Sequence, residues 1–177
     1  MQENFRNRLL NWDTVMQTNL FFVKCMKILQ IPVLVSEHIP FQPTIQELAE
    51  HLALPRPVKH PEVGQQHKEL EHSSDVKLTS SHHAHNKLFA KTLFSMFTPE
   101  VRLHLKSMPK HRHLFIMGLE AHVCVLQTVL DAVNSGYYVH VLVDGIGSQC
   151  RVDLEIAIER MKQVRSCERE RIRMCED

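Results

Sequence analysis

Apolar residues recur along this chain at two spacings, and the spacing changes from segment to segment. Between Trp12 and Leu29, Val15, Met16, Leu20, Val23, Met26 and Ile28 fall at helical intervals, and Asp13 or Thr14 is suited to cap the start. Ile31-Pro32-Val33-Leu34-Val35 is a short β-rich run leading into Ser36-Glu37-His38, with Pro32 at its entrance, where a missing N–H does least harm. Thr44 precedes Ile45, Leu48 and Leu52, the pattern of a short capped helix. From Pro55 to His85 periodicity disappears among prolines, charges and six histidines, and the stretch reads as a polar loop. Phe89 to Phe97 is mixed. Pro99-Glu100 then opens a helix through Val101, Leu103, Leu105 and Met108.

The next part is the most regular. His113 to Gly118 is an apolar strand, and Val123, Leu126, Val129, Leu130 and Val133 mark a helix that Gly136 ends. Tyr138 to Asp144 is a second strand, Gly145 to Gln149 a loop, and Val152 to Met161 a further helix. Strand, helix, strand, helix at this spacing is a right-handed βαβα unit on a parallel sheet, so the fold class is α/β. Lys162 to Asp177 alternates Arg with Glu and reads as a solvated helical or frayed tail.

Composition narrows the class. The 177 residues carry 21 basic and 20 acidic side chains, a formal net charge of +1. Near-balance argues against a nucleic-acid or anionic-membrane binder. No apolar run approaches the ~20 residues a membrane span needs. The N-terminal residues lack the pattern of a secretory signal. Five cysteines without a CxxC pair read as reduced thiols, and the expected compartment is the cytoplasm.

Cys124 lies just past the strand that ends at Gly118, in the first turn of the next helix. Ligands bind at the carboxyl ends of strands in such sheets, and a helix start lowers a thiol pKa. Its position is equally that of a small buried hydrophobe between Val123 and Val125. Lys91 is a charge inside an apolar stretch, either snorkelling to water or held where its charge is used. His122, Glu37 and His38 sit near strand ends but do not complete a metal set, and the His82, His83 and His85 cluster sits on a loop without fixed geometry. Gly145-Ile146-Gly147 is not a dinucleotide loop, because Cys150 stands where the third glycine belongs.

Taken together, Gly118-Leu119-Glu120-Ala121-His122-Val123-Cys124-Val125-Leu126-Gln127-Thr128 resembles the nucleophile segment of isochorismatase-like cysteine hydrolases. The likeness is greatest to the isochorismatase domain-containing protein 2 group and its bacterial and protozoan relatives. Ala90 to Ser95 is similar to that group's lysine motif, Pro32 to Pro40 to its second strand, and Val141 to Gln149 to its Asp-Gly loop. Met1 to Arg6 resembles the tail of its first strand. The resemblance covers most of residues 1–163, apart from a polar His-rich insertion at about 51–85, and leaves 164–177 as a charged tail.

The resemblance implies a three-layer α/β/α doubly wound parallel sheet, here lacking most of the first strand and the C-terminal strand. It implies Cys124 as nucleophile, Lys91 as its partner, a cis peptide at Leu119–Glu120, and an oxyanion hole from the N–H groups of Glu120 and Cys124. The family's aspartate general base directly precedes the segment matched by Met1-Gln2-Glu3, and Asp13, at a helix start, is no substitute. Impaired activity on a small-molecule substrate is therefore expected, with no cofactor and no metal. The rival reading is a catalytically inactive scaffold that pairs with other proteins or with copies of itself. A weaker rival is metal storage by the histidine loop.

Overall fold

The computed structural model describes residues 1–39, 41, 43–54, 86–167 and 172–175. Most of the polar insertion, with its His82, His83 and His85 cluster, lies outside the described residues. In chain order the elements are α1 (Trp12–Ile28), β1 (Leu34–His38), α2 (Gln46–Leu52), β2 (Lys87–Lys91), α3 (Pro99–Lys106), β3 (His113–Leu119), α4 (Leu126–Asn134), β4 (Tyr138–Gly147), α5 (Arg151–Cys167) and β5 (Ile172–Cys175). A π-helical turn, Ala121–Val125, joins β3 to α4.

Among the described residues the named strands all pair in parallel, as the βαβα spacing requires, and one isolated antiparallel bridge joins Gln2 to Thr44. They form two groups, β1-β2 and β3-β4-β5. Helices cover both faces. Val125, Leu126, Val129, Val133, Ala157 and Met161 pack one side against Val139 and Val141 of β4. On the other side Met16 and Val23 of α1 meet Ile45, Leu48 and Leu52. Leu34 packs on the first cluster while Val33 and Val35 pack on the second, so β1 lies in the strand layer between them. β1 and β3 are not paired with each other, and apolar cavities of about 180 Å³ run between them, lined by Leu34, Ile116 and Met117 among others.

Several sequence expectations are corrected. β2 falls in a stretch read as mixed, since Lys87-Leu88-Phe89-Ala90-Lys91 is short and flanked by charge. β1 runs from Leu34 to His38 instead of starting at Ile31, and Glu37, buried near its end, accepts from the Thr44 N–H at 2.6 Å. Thr44 caps nothing: Ile45 is the N-cap of α2, and the Thr44 hydroxyl is buried without a partner among the described residues. Asn11, not Asp13 or Thr14, is the N-cap of α1, with φ of 55° and no side-chain cap bond. Gly145 to Gly147 is strand, not loop. After a bulge, Gly118 pairs with Ile146 and Leu119 with Gly147.

The C-terminal expectation also changes. The charged tail from 164 onward is not simply solvated, for α5 continues to Cys167 and Ile172–Cys175 adds β5 beside β4. A C-terminal strand is thus present where none was expected. Its signal, Ile172 and Met174 among alternating charges, was too short to separate from a helical pattern.

Candidate active site

Lys91 ends β2, and the parallel register sets it opposite His38 at the end of β1. His38 is anchored by Gln2, whose side-chain amide donates to the His38 carbonyl and accepts from its N–H, both at 3.0 Å. Beyond Lys91 the chain folds back over its own side chain. The Lys91 Nζ donates to the carbonyls of Leu93 and Phe94, each at 2.9 Å. It lies 3.3 Å from His38 Nδ1 and 3.8 Å from Cys124 Sγ. Lys91 is 7% exposed, so it is not a snorkelling lysine.

Cys124 comes from the other strand group. After β3, Glu120 takes left-handed backbone angles, φ 55° and ψ 66°, turning the chain sharply at the carboxyl end of the sheet. The following turn is π-helical, with the Val125 N–H reaching back to the Glu120 carbonyl at 3.5 Å. Turns of this kind interrupt helices most often at functional positions. Two side chains fix it. Ser148 Oγ, at the end of β4, accepts from the Ala121 N–H at 3.1 Å. Thr128 Oγ1 donates to the Cys124 carbonyl at 2.6 Å and accepts from the Met96 N–H at 2.9 Å. Thr128 therefore ties the cysteine turn to the loop that wraps Lys91.

Lys91, His38, Glu120 and Cys124 all line one cavity between the strand groups. Glu120 supplies the carboxylate among the lining residues, and it is engaged elsewhere. Its side chain accepts from Gln149 Nε2 at 2.8 Å and lies 3.6 Å from His122 Nδ1. Asp13 is exposed at the start of α1 and lines no part of the cavity. His122 faces Glu120, Asp153 and Ser148 at the site's edge.

The electrostatics correct one expectation. A helix start was expected to lower the Cys124 pKa, whereas burial pushes the thiol up, only partly offset by the Lys91 charge and hydrogen bond, and Glu120 pushes it further up. The same burial lowers Lys91, partly offset by Cys124. Desolvation thus disfavours the charged form of both groups, while each partly stabilises the charge of the other. His38 is also lowered, first by burial and then by Lys91, against an opposing contact with the Leu93 carbonyl.

Cys124, Lys91 and Glu120 thus line one cavity. The structure adds His38, Thr128, Ser148 and Gln2, whose contacts depend on the β1–β2 register and on strand-end geometry that periodicity does not encode. No group of three or more metal-ligating side chains occurs among the described residues. Cys25, Cys124, Cys150 and Cys175 are free thiols. No helix among the described residues is long and apolar enough to cross a membrane.

Comparison with known proteins shows the family of the chain. A family model described as the isochorismatase domain matches residues 1–168. The chain is 32% identical over 165 residues to isochorismatase family protein 1A of Dictyostelium discoideum, covering 92% of this chain and 67% of that protein. It is 30% identical to isochorismatase domain-containing protein 2 of Xenopus laevis, covering 92% of this chain and 64% of the relative. The solved structure described as MAR1 ribonuclease from Caenorhabditis elegans superposes with a TM-score of 0.69 at 29% identity, covering 92% of this chain and 68% of that one. The chain spans about two thirds of the length of these curated relatives. Matched over nearly its whole length, the chain belongs to the isochorismatase family.

Proposed function

We propose that Cys124 is the nucleophile of a slow hydrolase site, with Lys91 as the group that takes and holds its proton. The observation that carries this reading is the 3.8 Å approach of Lys91 Nζ to Cys124 Sγ, from two separate strand groups, inside one cavity. In its unprotonated form the Lys91 amine is a proton acceptor for the thiol. The S–H bond breaks, an Nζ–H bond forms, and the electron pair stays on sulfur. The thiolate then attacks the electrophilic carbon of an amide or related small molecule, and the N–H groups of Glu120 and Cys124 would receive the developing oxyanion. As the tetrahedral intermediate collapses, Lys91 Nζ gives the proton to the departing atom while its bond to carbon breaks, and water then cleaves the thioester to release the acid and restore the thiol.

Among the described residues no carboxylate is hydrogen-bonded or ion-paired to Lys91 or Cys124, and the nearby Glu120 is bound to Gln149. General acid–base help is worth about two to four orders of magnitude, so turnover should be low by about that factor against a site that has such a group. The inactive-scaffold reading draws on the same two facts, the raised thiol and the absent carboxylate contact. Intact-mass and peptide-resolved spectrometry after p-nitrophenyl acetate treatment separates them. An acetyl adduct on Cys124 that forms and then decays supports the hydrolase. A Cys124 that stays unmodified while exposed Cys150 is acetylated supports the scaffold.

A further inference from the structure

We propose that His38 is a positioning residue for the Cys124–Lys91 pair, its Nδ1 lone pair holding the one Lys91 proton that the loop carbonyls leave unclaimed. The inference deepens the reading above and rests on it. A lysine ammonium has three N–H donors. Two are taken by the Leu93 and Phe94 carbonyls at 2.9 Å. The third has two acceptors within reach, His38 Nδ1 at 3.3 Å and Cys124 Sγ at 3.8 Å.

The competition between them decides what the sulfur can do. If the third N–H points at Sγ, the thiolate is stabilised but its electron pair is tied up. If it points at His38, the ammonium is satisfied on all three donors and the thiolate is free to attack. The imidazole suits this role because burial and the neighbouring Lys91 charge keep it neutral, and a neutral ring has one acceptor nitrogen. The role requires the tautomer with its proton on Nε2.

The fold also holds the ring in place. Gln2 clamps the His38 backbone from both sides, and the parallel register sets His38 opposite Lys91. Phe41 and Phe94 flank the ring with centroids at 5.4 and 6.0 Å. The titratable groups facing this centre are Lys91 from β2 and Cys124 and Glu120 from the turn after β3. Glu120 is bound to Gln149, which leaves Lys91 as the charge closest to His38.

The test uses the full chain and three variants: His38→Asn, whose Oδ1 stands in for Nδ1, His38→Phe, which keeps bulk without an acceptor, and Lys91→Met. Iodoacetamide alkylation of Cys124 is followed by peptide-resolved mass spectrometry against pH. His38→Phe should turn the third Lys91 N–H onto Sγ, moving the Cys124 inflection downward by about one unit and slowing alkylation by the thiolate above it about 3-fold. His38→Asn should stay near the wild-type curve. A His38→Phe profile that overlays wild type while Lys91→Met is shifted overturns the proposal and leaves the thiol–lysine reading intact. Wild-type profiles in all the variants overturn that reading instead. As a check independent of variant folding, the 15N shifts of His38 in the wild-type chain should report an unprotonated Nδ1. A protonated Nδ1, aimed at the Leu93 carbonyl, overturns the proposal.

Discussion

Replacing Lys91 by Met removes the charge beside Cys124 while nearly conserving side-chain volume. At 3.8 Å, a thiolate and an ammonium attract by about 4 kcal/mol at an effective dielectric near 20. That corresponds to about three pKa units, since one unit is about 1.4 kcal/mol. The site opens onto a cavity, so screening reduces the figure, and a rise of about one to two units in the Cys124 pKa is the working expectation. Each unit costs ~10-fold in thiolate fraction, but a more basic thiolate is intrinsically ~3-fold more nucleophilic. The net expectation is alkylation of Cys124 slowed by about 3- to 10-fold at pH 7.5, with the inflection moved to higher pH. Lys91→Arg, which keeps the charge, should fall between wild type and Lys91→Met. Peptide-resolved iodoacetamide kinetics supply internal controls, because Cys25 and Cys150 lie in other elements and should keep their rates. An unchanged Cys124 profile in Lys91→Met would refute the electrostatic coupling.

Thr128→Val strands the Met96 N–H and frees the Cys124 carbonyl, so urea unfolding should show a loss of about 1–3 kcal/mol; an unchanged midpoint would mean the tie contributes nothing. Gly147→Ala places a Cβ 2.7 Å from Leu9 Cδ2 and 3.3 Å from Val15 Cγ2 in the packed region under α1, and should destabilise by about 1–3 kcal/mol in the same assay. Burial lowers His38 and His104 in the folded chain, so the unfolded chain binds more protons just below pH 6.5. Stability should therefore fall as pH drops from 6.5, and His38→Asn should remove part of that fall, whereas stability flat across this window would contradict the burial.

The central part of the fold was legible because its signals are local. Leu114 to Gly118, Val129 to Val133 and Val139 to Val143 each satisfy one period, and short links force the parallel βαβ arrangement. β2 and β5 escaped because each is a few residues long, among charges, and is held by a neighbouring strand more than by its own pattern. Gly145 and Gly147 disguised the end of β4 as a turn, although Gly147 is in the strand and is a glycine where Leu9 and Val15 pack in the space a Cβ would take. At the site, Cys124 and Lys91 were legible as residue types out of place and as parts of a motif. The sign of the Cys124 shift was not, since the helix-start argument is local and the burial that outweighs it comes from the packing of both strand groups. The sequence marks His38 only as one member of an incomplete metal set, and its contact with Lys91 exists through a strand, β2, that the pattern conceals.

The thiol and the amine are claimed to act as one titrating unit, and this is most directly measured by NMR titration of a chain labelled with 13Cβ-cysteine and 15Nζ-lysine. The account predicts that the Cys124 and Lys91 signals share their inflection points, and that the Cys124 inflection moves upward in Lys91→Met. Separate, single inflections, with Cys124 indifferent to the loss of Lys91, would contradict it.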